Sequence, residues 1–208
     1  MDNLTKQEIS FLKKLNTPNK IQDFLDSIPF NFEEKGETVM SPRRVMREKK
    51  AHCIEGAFFA SSALMVNGEK PLVMNLKITG KDFDHCVALF KKNGYWGAIS
   101  KTNHAVLRFR DPIYKTIREL ALSYFHEYFL LTDGKKTLRG YTSPIDMNKF
   151  GKSWMTEEKD LWGISSKIFY MKHIKIIPDK NKKYIRNASE IERKSAGVEE
   201  WKKNSKKR

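Results

Sequence analysis

The chain has few cysteines and no long apolar run, and each of these features excludes a class of protein. It holds 208 residues with two cysteines, Cys53 and Cys86, so a disulfide framework is not expected. No run of eighteen apolar residues occurs, so no transmembrane helix is predicted. The N-terminal residues lack the apolar stretch of a signal peptide. Together these features predict a cytoplasmic protein that works under reducing conditions.

Motifs for common cofactors are also missing. The chain has no glycine-rich phosphate loop and no Rossmann glycine pattern. Its two cysteines and five histidines form no tight C-x-x-C or H-x-x-x-H pair, which disfavours a metal site. We therefore predict neither a metal ion nor any other cofactor.

Positive charge is abundant and concentrated near the C-terminus. The net charge is +15, and residues 171–208 contain thirteen Lys or Arg against five Asp or Glu. We expect residues 1–178 to form one domain, with a core at about 20–130, and residues 179–208 to form a flexible basic tail. Such a tail can make weak contact with nucleic acid or an anionic surface. It holds only two aromatic residues, Tyr184 and Trp201, so no platform for base stacking is predicted.

The first third of the chain has the periodicity of helices. Apolar residues recur at helical spacing over 5–15, and Thr17-Pro18 and Ser41-Pro42 each predict a helix start. Residues 53–66 are small, aromatic or apolar on nearly every face, which predicts a buried central helix.

The pattern then changes to that of an antiparallel sheet. Strands are predicted at 71–78, 85–91 and 95–100, with a hairpin turn at Asn93-Gly94. Alternation over 104–110 predicts a further strand, and Asp111-Pro112 predicts the start of a helix that runs to about residue 129. An apolar stretch within 164–177 predicts one more strand. The order of elements predicts an α+β fold, in which a cysteine-bearing helix packs on an antiparallel sheet.

One cysteine and one histidine have the positions that a thiol nucleophile requires. Cys53 would begin the central helix, whose N-terminal partial charge favours a thiolate. His85 would begin a strand some thirty residues later, and an imidazole can accept the thiol proton. Free cysteine is more often a small buried hydrophobe, which is the role expected for Cys86. His52, next to Cys53 in sequence, is expected to point elsewhere, although it could raise the local positive charge.

Three segments extend this pair into an ordered set of motifs. They are AHCIEGA at 51–57, HCVALF at 85–90 and WGAIS at 96–100. The set resembles the transglutaminase-like family of papain-like cysteine enzymes, whose motifs are G-x-C-x-x-x-A, H-A-W-V-E-V and W-x-x-x-D. The resemblance implies a papain-like core and a Cys53–His85 dyad. It also implies hydrolysis or transfer of an amide acyl group of a protein or peptide through an acyl-enzyme.

The resemblance breaks at the position of the family's acid. Ser100 stands where the family has aspartate, and a hydroxyl can accept an imidazole N–H but supplies no charge. Asn103 can substitute, because papain-like enzymes use asparagine in this role, and Asp82 or Asp84 could also approach His85. Two other functions stay open: a catalytically impaired relative that binds protein or peptide, and a nucleic-acid-binding protein that uses the basic tail. The oligomeric state stays open as well.

Overall fold

The computed structural model describes residues 4–80 and 82–202 and combines helices with one antiparallel sheet. The α-helices are α1 (Lys6–Lys14), α2 (Pro18–Ser27), α3 (Pro42–Glu48), α4 (Cys53–Val66), α5 (Ile117–Ser123), α6 (Trp162–Phe169) and α7 (Glu190–Ala196). The side chains of Thr5, Thr17 and Ser41 accept backbone N–H bonds in the first turns of α1, α2 and α3. Proline begins α2 and α3, as the sequence predicts, because its fixed φ suits that position.

The strands form a single sheet with antiparallel neighbours. They are β1 (Leu72–Ile78), β2 (His85–Lys92), β3 (Tyr95–Ile99), β4 (Arg110–Tyr114), β5 (Leu138–Thr142), β6 (Ile145–Asp146) and β7 (His173–Lys175). The strand order is β4-β3-β2-β1-β5-β7, and β6 also pairs with β1. Asn93 and Gly94 have φ values of 50° and 87°, the left-handed geometry that closes a two-residue hairpin between β2 and β3.

Helix α4 is buried against one face of this sheet. Phe58 and Phe59 of α4 are fully buried in a core that also contains Cys86 of β2. The opposite face forms a second core, in which Leu120 of α5 packs with Val87 of β2. The α+β prediction, with mixed helix and antiparallel sheet, is therefore confirmed.

The segment between β3 and α5 differs from its prediction. Residues 104–109 form a loop in which His104 makes one isolated bridge, to Glu199, and Arg110 already belongs to β4. Asp111 and Pro112 lie in β4 rather than at a helix start. Strand β4 is the outermost strand, and an edge strand tolerates proline because one side of it has no ladder bonds to make. Helix α5 begins only after Thr116.

The chain after residue 134 contains elements that the sequence pattern does not reveal. Strands β5 and β6 extend the sheet, and short 3₁₀ turns follow at Met147–Phe150 and Ser153–Met155. Within 164–177, where a strand is expected, residues 164–169 belong to α6 and only β7 is a strand. No helix in the described ranges is long and apolar enough to cross a membrane.

The basic C-terminal segment lies on the domain as far as it is described. Ala105 N–H donates to the Val198 carbonyl at 3.0 Å, and Glu200 N–H donates to the Asn103 carbonyl at 2.8 Å. The Asn103 side chain bonds both backbone groups of Trp201, at 3.0 and 2.9 Å. Residues 198–201 thus find backbone partners in the 103–105 loop, and the flexibility expected for 179–208 stays a prediction. Residues 203–208 lie outside the described part of the chain.

Candidate active site

Cys53 is the first residue of α4 and is half-buried. The first backbone N–H groups of a helix have no acceptor within the helix, and their partial positive charge favours an anion. The Cys53 sulfur lies 4.0 Å from the carbonyl oxygen of Asp84, the residue just before β2. Helix α4 therefore brings the sulfur to the start of the strand that carries His85.

Two imidazoles, His52 and His85, interact with the Cys53 thiol. Burial raises the pKa of Cys53, but hydrogen bonding and charge from His52 and His85 outweigh it and lower the pKa to about 5. Burial lowers the pKa of His52, but Cys53 and Glu55 outweigh it and raise the pKa to about 10. A Cys53 thiolate beside a charged His52 is therefore the favoured state near neutral pH. The expectation that His52 points elsewhere is wrong, because its side chain forms a hydrogen bond with Cys53.

Ser100 fixes the ring of His85. The Ser100 Oγ lies 2.8 Å from His85 Nε2 and 2.5 Å from the carbonyl oxygen of Leu107. A hydroxyl has one proton and a carbonyl oxygen can only accept a hydrogen bond, so the Ser100 hydroxyl donates its hydrogen bond to the Leu107 carbonyl. Ser100 Oγ must then accept from Nε2–H, which leaves Nδ1 of His85 to exchange a proton with the thiol. His85 and Ser100 are only 5% and 2% exposed, so water competes little for these bonds.

Helix α2 holds the backbone around Ser100. Gln22 accepts a bond from the Ser100 N–H at 3.0 Å and donates one to the Ser100 carbonyl at 2.8 Å. The next residue, Lys101, is fully buried and donates to the carbonyls of Leu25 and Ile28 at 2.8 and 2.6 Å. Burial lowers the pKa of Lys101 to about 8. The position of Ser100 is thus set by two side chains that join it to α2.

Leu107, whose carbonyl accepts the hydrogen bond from Ser100, has an uncommon backbone conformation. Its φ is +62°, in the left-handed region that residues with bulky side chains rarely adopt. The Leu107 N–H donates to the Glu127 carboxylate at 2.8 Å, and Glu127 pairs with Arg110 at 2.6 Å. Sequence reasoning missed Gln22, Leu107 and Glu127, because they act through backbone groups and leave no motif.

Glu55, in the first turn of α4, is a fully buried carboxylate with several donors. It accepts bonds from Asn31 Nδ2 at 3.1 Å, Thr38 Oγ1 at 2.7 Å and the Met40 N–H at 2.9 Å. It also accepts from the backbone N–H of His52 at 2.9 Å. The sequence indicates only a favourable charge at a helix start, whereas the structure adds a network next to His52.

The other candidate partners of His85 are engaged elsewhere. The Asn103 side chain binds the Trp201 backbone, as described above. Asp82 accepts a bond from Thr137 Oγ1 at 2.5 Å. Asp84 accepts from Asn75 Nδ2 and Lys77 Nζ, both at 3.0 Å. Ser100 is therefore the side chain that the structure brings to Nε2 of His85.

Cys86 occupies a different environment from Cys53. It is fully buried in the core beside α4, and burial raises its pKa well above that of a free thiol. Within residues 4–80 and 82–202, no group of three or more His, Cys, Asp or Glu side chains is arranged to hold a metal ion.

Comparison with known proteins gives no family assignment: no family model matches the chain, and no curated protein matches its sequence.

Proposed function

We propose that the protein is a cysteine-dependent acyl-transfer enzyme with a transglutaminase-like, papain-like core. Cys53 is the nucleophile, and His85 is the general base and acid. The observation that supports this most strongly is the Cys53 thiol, whose pKa is lowered to about 5 beside a histidine that Ser100 holds in one tautomer. The substrate is an amide or thioester carbonyl of a protein or peptide.

The first half of the reaction forms an acyl-enzyme. The Cys53 sulfur bonds to the carbonyl carbon, and the carbonyl electron pair moves to oxygen. The backbone N–H groups in the first turn of α4 are suited to stabilise this oxyanion. The intermediate then re-forms its C=O bond as the bond to the leaving amine or thiol breaks, and Nδ1 of His85 donates to the leaving group the proton that it took from the Cys53 thiol.

The second half releases the acyl group. Water or an amine attacks the thioester carbon while Nδ1 of His85 accepts a proton from it. The carbon–sulfur bond breaks, and Cys53 returns to the thiolate. Water gives a hydrolase, and an amine gives an acyltransferase.

The proposal is tested with p-nitrophenyl acetate, whose acyl group is small enough to reach an occluded thiol. Wild-type protein should release p-nitrophenol in a burst and carry an acetyl group on Cys53, located by peptide mass spectrometry. Cys53→Ser should show neither, and His85→Asn should acylate but deacylate much more slowly, because water needs a base to attack the thioester whereas p-nitrophenolate leaves without a proton. An acetyl group absent from wild-type Cys53, or deacylation that His85→Asn leaves unchanged, would contradict the proposal.

A peptide-binding relative without turnover is a second candidate, and the neutral Ser100 in place of an acid favours it. Without a carboxylate, the charge on His85 that develops during attack has no direct counter-ion. The same assay separates the two functions, because a binding protein would lose its acetyl group no faster than its His85→Asn variant does.

A further inference from the structure

We propose that His52 is a second catalytic histidine and that Glu55 is its positioning residue. In this arrangement the His52 imidazolium holds Cys53 as a thiolate, while His85 alone moves protons. The inference rests on the proposed function, since it divides the work of that same site between two imidazoles.

The surroundings of His52 Nε2 consist of oxygen atoms. The Thr38 carbonyl lies 2.9 Å away, Glu55 Oε1 3.4 Å and Glu33 Oε1 3.5 Å. A carbonyl and ionised carboxylates only accept hydrogen bonds, so Nε2 must carry a proton. Two nearby negative charges also favour the doubly protonated, cationic ring. The His52 side chain is 15% exposed, so water screens these charges weakly.

Glu55 is built to hold one orientation. Its four donors, described above, come from three separate parts of the chain: Asn31, the strip from Thr38 to Met40, and His52 itself. Every one of these groups donates, which suits an ionised carboxylate. The bond from the His52 N–H also ties the carboxylate to the backbone of the residue whose ring it faces. Glu55 therefore fixes both the position and the charge of His52.

His85 has a different environment. Its partner, Ser100, is neutral, so nothing bonded to Nε2 favours a permanent positive charge. A Ser-His-Asp triad concentrates charge stabilisation and proton transfer on one histidine. Here the carboxylate lies with His52 and the neutral acceptor lies with His85, so the two tasks are separated. The arrangement explains how the site can function with serine at the position of the acid.

The other ionisable groups around the sulfur fit this assignment. Glu33 and Glu55 face His52, while His85 faces the thiol from β2. Burial raises the pKa values of Cys86 and Tyr128, and the negative charge at Cys53 raises both further. Both groups therefore stay protonated and neutral when Cys53 is ionised, so His52 and His85 supply the nearby positive charge.

The test measures the pKa of Cys53 directly, from thiolate absorbance and from the pH dependence of iodoacetamide labelling. His52→Gln should raise that pKa by about 1–3 units, the usual effect of losing an adjacent opposite charge. His85→Asn should shift it less than His52→Gln does, yet should lose more of the acetyl turnover. Glu33→Gln should not raise the pKa, because His52, whose pKa is about 10, stays charged over the range in which Cys53 titrates. Glu34→Gln is the matched control, because Glu34 is exposed and adjacent in sequence, and it should change nothing.

A wild-type thiol pKa in His52→Gln would overturn the inference, as would a larger shift in His85→Asn than in His52→Gln. If His52→Gln does not fold, as judged by circular dichroism, the protonation state of His52 in the wild-type chain, measured by NMR, decides: a neutral imidazole at pH 7 overturns the inference. Failure of the proposed function has a different signature, because it removes the acetyl group from wild-type Cys53 whatever these pKa values are.

Discussion

Ser100 and His85 are joined by a hydrogen bond of 2.8 Å, in which the serine oxygen can only accept. The direction of this hydrogen bond follows from Leu107, because its carbonyl accepts the only hydrogen bond that the Ser100 hydroxyl can donate. A neutral side chain thus selects the tautomer of the histidine without adding charge. The orienting role and the electrostatic role of a triad acid are therefore separable in this fold.

Replacing Ser100 with alanine should reduce acetyl turnover by about tenfold or more. The change leaves the buried Nε2–H of His85 without an acceptor, at a cost of about 1–3 kcal/mol, and about 1.4 kcal/mol corresponds to a factor of ten. Turnover of p-nitrophenyl acetate is the measurement. Ser62→Ala is the control, because Ser62 is also buried and also donates to a carbonyl, that of Phe59 within α4. Equal turnover in the two variants would argue against an orienting role for Ser100.

Gly56→Ala should destabilise the protein by about 1–3 kcal/mol, the usual cost of overpacking a core. A Cβ atom at position 56 would lie 2.5 Å from the Cβ of Lys101, which is too close to the backbone to move freely. The free energy of unfolding in urea is the measurement. Gly163→Ala in α6 is the control: nothing lies within 4 Å of its Cβ position, so no loss is expected and a gain of up to about 1 kcal/mol is allowed.

The sequence predicts the elements around the thiol well, because their signals are local. Caps with proline, the uniformly apolar α4 and the Asn93-Gly94 turn each act within a few residues. The prediction from sequence fails at Asp111-Pro112. The local pattern fits a helix start or a strand, and pairing with the sheet makes the segment a strand. The prediction fails again after residue 134, where β5 and β7 are short and owe their conformation to neighbours distant in sequence.

The C-terminal segment should be needed for a stable site. Residues 198–201 bind the 103–105 loop, which lies between Ser100 and Leu107 in sequence. A chain that ends at residue 197 should therefore turn over p-nitrophenyl acetate more slowly and unfold at a lower urea concentration. Asn103→Ala, which removes both bonds to the Trp201 backbone, should cause a smaller loss of the same kind.

A chain that ends at Lys202 is the control for this truncation, because it keeps all of these contacts. Equal turnover and equal stability in the chains ending at residues 197 and 202 would show that the segment does not support the loop.

The stability of the protein should rise with pH through the titration of Lys101. Burial lowers its pKa from 10.5 to about 8 in the folded chain, so between these values the unfolded chain binds more protons. This contribution is complete above the unfolded pKa and is lost as the pH falls through about 8. Urea unfolding across this range is the measurement. The difference between wild type and Lys101→Met isolates the effect, and a difference that does not vary with pH would contradict it.

The candidate site is only partly visible in the sequence. Cys53 and His85 stand out because each begins a regular element and matches a motif. His52 does not stand out, because neighbours in sequence are expected to point in different directions, whereas its side chain reaches the Cys53 thiol. Gln22 bonds the backbone of Ser100, and Glu127 bonds the backbone of Leu107, whose carbonyl accepts the hydrogen bond from Ser100. No residue pattern encodes contacts made to backbone atoms.

The most direct test of the account is the rate of iodoacetamide labelling at Cys53 as a function of pH, followed by peptide mass spectrometry with Cys86 as an internal comparison. The account predicts half-maximal reactivity of Cys53 near pH 5, with Cys86 unreactive in the folded chain. A Cys53 midpoint near that of a free thiol, about 8.5, would contradict it.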